Sequence, residues 1–450
     1  MRSLGTSDRP SVRALSTAIE KVSSRTRARQ FVRVMNRMGA SPAAILPFVQ
    51  DSPNFTNRRF EGEEPSLRPR VRAQTSALIA AIRVSGRGRP AGTVPVVPAT
   101  PPRQPGDLAV TWYGHATSVL EIDGARFLID PVFSERVSPI RHSGPRRMHP
   151  VPGSIADIPG IDAVLISHDH YDHLDQPSVV RLEETHRPHY VVPLGVNAHL
   201  LAWGVPESRI TALDWRGETE VSGIRVTCTE ARHNSGRGLV DSQTLWAGWA
   251  LHGPRHSAYF AGDSGTSKRF AAIGADLGPF DVTLMPVGAY DSFWPDIHMD
   301  PEQALAAHRD VNRIGDEAHA LTEDAAGIAD AFIEGDQRID TPGDTHEEGE
   351  ATETTRTVRT AARESLLVPI HWATFNLSMH WWAEPVRRIR RAALEAHVPV
   401  AFPRVGERVD LTTGDAAAVA AAHTDPWWEE CAAPEDRDEQ ELAPGPSIAG

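Results

Sequence analysis

The stretch AVLISHDHYDHLD, residues 163–175, constrains this chain more than any other. A short apolar run of strand character ends in a loop holding three histidines and three aspartates. A strand fixes the start of such a loop. His168 and His170 lie two positions apart, so one bend turns both imidazoles toward a single ion. Asp172 and His173 follow and can serve a second ion beside the first. Ionisable groups this dense repel or desolvate one another unless a cation joins them. Imidazole and carboxylate donors without thiolate suit zinc, iron or manganese.

A binuclear site needs more donors, and other apolar runs end in them. His233 follows IRVTCTEAR, Asp263 follows SAYFAG, and His371 follows LLVPI. The expected division places His168, His170 and His233 on one divalent ion and Asp172, His173 and His371 on another. Asp263 lies between them, and zinc is the first choice of metal. His142, His149, His186, His189, His252, His256, His308 and His397 are read as structural or solvated.

The surrounding sequence reads as short β-rich runs with helices between them. Asp123-Gly124 separates two strands and signals a hairpin. Helical patterns cover 300–311 and 383–397. This is an α/β domain with two sheets and outer helices. It spans 106–411 and is interrupted by an acidic insert, 312–363. A basic N-terminal arm and a Pro/Gly-rich linker or surface crossing occupy 1–105. An acidic, disordered tail is expected over 412–450. Residues 10–39 read as a helix carrying Arg25, Arg29, Arg33 and Arg37 on one stripe. It either docks on the protein or lies on a membrane surface.

Composition excludes several classes. No apolar run approaches the roughly 18 residues a membrane span requires. The first residues lack the apolar core of a secretory signal. Cys228 and Cys431 are the only cysteines, which argues against a disulfide framework and against thiolate metal ligands. A cytoplasmic protein, peripheral to a membrane at most, is expected. The net charge is −13, with the basic excess confined to the arm, so the body has no nucleic-acid-binding profile. The expected partner is a small-molecule or lipid substrate; oligomeric state is left open.

GHATSVLEIDGARFLIDPVF, GPRRMHPVP, ISHDHYDHLD, GAYDSFWPDIHMDPEQALAAHRDV and PIHWATFNLSMHWWAEPV narrow the reading. Together they resemble the N-acyl-phosphatidylethanolamine-hydrolysing phospholipase D branch of the metallo-β-lactamase superfamily, with its bacterial relatives. The resemblance implies a four-layered αβ/βα sandwich with a two-metal site on one edge. It places the ligands at the seven residues already named and a further active-site histidine at His298. The implied activity is phosphodiester hydrolysis by a metal-bridging hydroxide. The alternative is a lactone, β-lactam or thioester hydrolase on the same fold. Asp172 would also orient water, and His298 would protonate a leaving alkoxide or bind a phosphate oxygen. Asp130 is expected to orient a ligand, and His115 to do the same or to cap a loop. Tyr290, Trp294, Trp372 and Phe375 are candidates for lining the substrate site. Arg146 and Arg147 are read as phosphate-binding or merely solvated. His170 stands where diiron members of the superfamily resemble H-x-E, which argues against a redox role. The insert and tail depart from the branch and put lipid binding, more than metal chemistry, in question.

Overall fold

Two sheets face each other across one core in the computed structural model, which describes residues 32–62, 87–238, 241–313, 364–412, 414–434 and 436. After a small ribbon of β1 (Phe55–Thr56) and β2 (Arg59–Phe60), the first sheet has seven strands: β3 (Leu108–Gly114), β4 (Thr117–Ile122), β5 (Ala125–Ile129), β6 (Ala163–Leu165), β7 (His189–Pro193), β8 (Ile210–Leu213) and β15 (Arg408–Asp410). Its spatial order is β15-β3-β4-β5-β6-β7-β8. The second has six: β9 (Glu218–Val221), β10 (Ile224–Thr229), β11 (Gly248–His252), β12 (Ser257–Phe260), β13 (Val282–Pro286) and β14 (Leu366–Ile370), ordered β14-β13-β12-β11-β10-β9. Strands β5 to β8 run parallel, as do β12 to β14, and the remaining pairs are antiparallel.

Strand alternation builds the layers. Leu120, Ile129 and Leu165 pack inward with Val226, Trp249 and Leu251 of the facing sheet. Their neighbours Val119, Leu128 and Val164 pack outward against α2 (Gln176–Thr185) and α3 (Val196–Ala202), an order that follows α1 (Pro42–Val49). The second sheet is covered by α4 (Arg269–Leu277), α5 (Pro301–Val311) and α6 (Glu384–Ala396), through Ile273, Leu305 and Ile389. Strands buried on both faces read as continuous apolar runs, as these do. The result is the expected αβ/βα sandwich. At the β4–β5 turn, Ile122 pairs with Ala125, and Asp123 and Gly124 both have positive φ (46° and 85°), as the hairpin signal required.

The tail differs from the sequence reading, and the linker takes one of the two forms expected of it. The linker is a surface crossing: Val94 is buried in the main core, and Val96 bridges Val405. The tail is not disordered from 412. It forms α7 (Ala416–Ala422) and a 3-10 turn, Trp427–Glu430. Trp427 and Trp428 are both buried, and apolar area of that size outweighs an acidic composition. Of the N-terminal helix, residues 32–38 are helical, and the rest of that expectation lies outside the described residues.

Residues 314–363 of the insert also lie outside the described residues. The chain leaves the sheet region and rejoins it at one place. The Asn312 side chain accepts the Phe280 N–H at 2.8 Å, and the Leu366 N–H donates to the Asp281 carbonyl at 3.0 Å.

Candidate metal centre

All the ligand-bearing loops emerge at one edge where the two sheets meet. His168 follows β6, His233 follows β10, Asp263 follows β12 and His371 follows β14 directly. Cross-links tie these ends together. The His371 N–H donates to the His115 carbonyl in the β3–β4 turn (3.0 Å), and the Ala247 N–H donates to the Ser167 carbonyl (2.9 Å).

Two donor groups result. His168, His170 and His233 form one. His168 Nε2 lies 2.8 Å from His170 Nδ1, and His233 Nε2 lies 3.3 Å from that same atom. Asp172, His173 and His371 form the other, joined by His115. Here His371 Nε2 is 3.2 Å from His173 Nε2, and His115 Nε2 is 2.9 Å from Asp172 Oδ2. Asp263 sits between. Its Oδ2 is 3.1 Å from both His173 Nε2 and His371 Nε2, 3.9 Å from His168 and 3.8 Å from His233. The fold thus brings together the donors the sequence singled out, with His115 in the second group; His168, His173 and Asp263, and His233, Asp263 and His298, form two further groups that link these sides.

The groups fit divalent cations. Imidazole nitrogens converge at hydrogen-bond distance, and Asp263 Oδ1 is buried without a hydrogen-bond partner. The far ring nitrogens settle the tautomers. His173 Nδ1 donates to Asp130 Oδ2 at 2.7 Å, and His233 Nδ1 donates to the Ile297 carbonyl at 2.9 Å. Each ring therefore turns Nε2 toward the cluster, the nitrogen that would bind a metal once unprotonated. Asp130 also accepts the Ser167 N–H and hydroxyl, at 2.7 and 2.6 Å. It fixes the orientation of the His173 ring.

Electrostatics separate the two sides. Burial opposes charging His173, but Asp263, Asp172 and Asp130 outweigh it and hold the ring well above its usual pKa. Burial likewise opposes His371, and Asp263 and Asp172 lift it to about 9. His168 and His233 stay well below the usual value through burial, which nearby imidazoles reinforce. Asp172 and Asp263 remain anionic against burial, chiefly because of His173. A divalent cation bound here would take the place that protons on His173 and His371 otherwise fill.

The backbone is strained where it turns into the site. His115, Asp130, Ala289, His371 and Ala373 all have positive φ, between 41° and 65°. Such conformations cost about 1–3 kcal/mol each and persist where surrounding structure imposes them. Two glycines that precede site residues permit close approaches. A Cβ on Gly114, before His115, would meet His149 at 2.7 Å; one on Gly262, before Asp263, would meet the Ala247 carbonyl at 2.5 Å.

His298 joins the cluster from the loop before α5. Its Nδ1 is 3.9 Å from Asp263 Oδ2 and has no hydrogen-bond partner. Burial lowers its pKa to about 4, only partly offset by Asp263, so the ring is neutral at pH 7. Asp172 and His298 keep 15% and 12% side-chain exposure, while the other ligands except His170 are buried. They mark the mouth of the site.

The aromatic candidates separate. The Phe375 ring meets His115 edge-on at 5.2 Å and so borders the site. Trp372 does not line it: its ring stacks between Trp112 (5.5 Å) and Trp427 (5.2 Å) in the core. Trp294 and Tyr290 are half-buried, their polar atoms on the Ala289 carbonyl and on Glu384. Arg147 is buried rather than solvated, lying over Phe375 and donating to the Val132 carbonyl. Arg146 is exposed beside Glu135.

Three positioning residues escaped the sequence reading. Thr374 takes the His115 N–H at 2.6 Å and meets His149 Nε2 at 2.9 Å. His199 and Arg237 grip Asp169. Thr374 lies in the PIHWATF stretch but nothing in it marks the threonine, and His199 and Arg237 lie in none of the quoted stretches.

Comparison with known proteins agrees with this geometry. The β-lactamase superfamily domain matches residues 125–320. An uncharacterised protein of Mycobacterium tuberculosis is 43% identical over 399 residues, covering 87% of this chain and 91% of its own. N-acyl-phosphatidylethanolamine-hydrolyzing phospholipase D 1 of Caenorhabditis elegans is 37% identical over 223 residues, covering 46% of this chain and 63% of its own. Among solved structures, the metallo hydrolase Igni18 of Ignicoccus hospitalis aligns at 19% identity with a TM-score of 0.44, covering 67% of this chain and 97% of its own. The family match, the near full-length relative and the donor set agree: the chain belongs to the metallo-β-lactamase superfamily of metal-dependent hydrolases.

Proposed function

We propose that this hydrolase cleaves a phosphodiester in the manner of a phospholipase D, with N-acyl-phosphatidylethanolamine or a related lipid as substrate. The observation that carries the reading is the mouth itself. An unpartnered imidazole, His298, stands 3.9 Å from the central carboxylate beside the partly exposed Asp172. The similarity to the Caenorhabditis elegans phospholipase D supports the bond class.

His168, His170 and His233 would hold one ion, and Asp172, His173 and His371 the other, with Asp263 shared between them. Nitrogen and oxygen donors at tetrahedral number favour zinc. Two such ions supply an activated water at neutral pH and Lewis-acid stabilisation of a phosphoryl oxygen. Asp172, held by His115, orients that water. His298, neutral at pH 7, donates an N–H hydrogen bond to a phosphate or leaving-group oxygen rather than acting as a standing cation. Phe375 borders the apolar part of the substrate. Contact with an anionic lipid surface through the arm belongs to the same proposal. It is supported by exposed Val32 and Met35 beside Arg33, and by exposed Ile140 on the loop that Arg37 touches at Ser138.

The test is turnover of N-acyl-phosphatidylethanolamine and of bis(p-nitrophenyl) phosphate by zinc-loaded protein, beside lactone, β-lactam and thioester substrates. Cleavage of either phosphodiester, lost in His168→Ala, is expected. Turnover confined to the other esters would move the reading to the alternative bond class.

A further inference from the structure

The loop that presents His168 and His170 is gripped from outside the hydrolase domain as the sequence divides it. Arg237 is buried, and its guanidinium donates to four carbonyl oxygens. Nη1 reaches Asp169 and Leu174, both at 2.7 Å, near the two ends of the ligand loop. Nη2 reaches Arg37 at 2.6 Å and Nε reaches Met38 at 3.3 Å, both in the N-terminal arm. The guanidinium lies over the Tyr171 ring, 4.1 Å from its centroid, and the Tyr171 hydroxyl donates back to the Arg237 carbonyl at 2.7 Å. One side chain thus joins the arm to both ends of the loop.

A second link runs through His199. The Ala40 N–H donates to His199 Nδ1 at 2.9 Å, which leaves the proton on Nε2. That nitrogen faces Asp169 Oδ2 at 3.2 Å, and Asp169 Oδ1 accepts the Gly236 N–H at 2.6 Å. Asp169 stands between His168 and His170, so its carbonyl and its carboxylate are both fixed by these contacts. The arm passes the ring closely because residue 39 is glycine. It has φ +82°, and a Cβ there would lie 2.3 Å from His199 Nδ1.

We infer that residues 37–40 of the arm are a working part of the metal centre. Through Arg237 and His199 they set how tightly the ion on His168, His170 and His233 is retained. Arg237, His199 and Gly39 are positioning residues, since none is among the ligands. The inference rests on the proposed metal assignment but not on the substrate. Groups that orient metal ligands typically govern about 10- to 100-fold in affinity.

The experiment follows transfer of zinc from the loaded full-length chain to a colorimetric chelator, without substrate, in Gly39→Ala and Arg237→Lys. Gly39→Ala alters the arm where it passes His199, touching no ligand directly; Arg237→Lys keeps the charge but loses the forked donors. The expected result is one release phase accelerated about 10-fold or more in both variants, with the phase from the Asp172, His173 and His371 side unchanged. Wild-type rates in Gly39→Ala would overturn the inference, even with Arg237→Lys accelerated. Equal acceleration of both phases would do so too, because it marks general loosening. Thermal melting of metal-free Gly39→Ala beside wild type confirms that the compared chains are folded, and His199→Gln supplies a replacement should Arg237→Lys fail to fold. A failed phosphodiester assay leaves these rates untouched, and wild-type rates here leave the substrate reading standing.

Discussion

Asp130 takes the proton-bearing face of His173 and the Ser167 N–H and hydroxyl together. Asparagine there would turn an N–H₂ toward one of these donors. His173 would then move its proton to Nε2 and lose the lone pair that faces Asp263. Asp130→Asn is expected to lower metal affinity about 10- to 100-fold, read by chelator competition; affinity within twofold of wild type would refute the role. His298 makes the opposite prediction. His298→Ala should leave metal content unchanged while kcat falls about 100-fold, the usual contribution of a positioned proton donor. Loss of metal along with activity would instead make it a ligand. The candidate donors were legible because four crowd one loop and His233, Asp263 and His371 each follow an apolar run, and such a pattern is visible in local sequence. Arg237, His199 and Thr374 were not. What they do depends on which carbonyls the fold carries to them, and local sequence holds no trace of that.

At the scale of elements, the hairpin at Asp123-Gly124 and helix α5, with Asp300 as its cap, lie where turn and cap chemistry put them. The cap of α2 at Asp175 is another such case. The tail defeated the same logic. Its acidic, alanine-rich composition suggested solvation, yet Trp427 and Trp428 close the core beside Trp372. Long-range burial overrides local composition when two indoles have a cavity to fill. Trp427→Ala should therefore cost about 3–5 kcal/mol, seen as a lowered Tm, where a solvated residue would cost almost nothing. A change in Tm below one degree would return the segment to the status of a tail. Trp372, placed in this stack, is a core residue first, and its position next to His371 in sequence misled because the chain turns sharply just past β14, with His371 and Ala373 both at positive φ.

Across the whole molecule, acid sensitivity has a source away from the metal centre. His308 of α5 is buried against Thr283, and burial, with Arg309 beside it, lowers its pKa to about 4. The unfolded chain binds a proton there near pH 6.5 and the folded chain does not. Stability is therefore full above pH 6.5 and falls as the pH drops toward 4, by about 3 kcal/mol from this group. Denaturant midpoints measured between pH 7 and 4 should fall less steeply in His308→Gln than in wild type; parallel curves would exclude the group.

The two ends of the acidic excursion are anchored at neighbouring residues, Asn312 on Phe280 and Leu366 on Asp281. Loop-closure entropy grows only slowly with length, so a detour that starts and finishes at one spot adds little strain to what it leaves behind. Strands β13 and β14 keep their register whatever hangs between them, because Val282 to Pro286 pair directly with Leu366 to Ile370. The segment is thus severable. Replacing 314–363 with a short glycine-serine bridge should leave zinc content and His371 placement intact. This makes the excursion a port at which chain can be added, exchanged or removed without retuning the chemistry at the opposite end of β14.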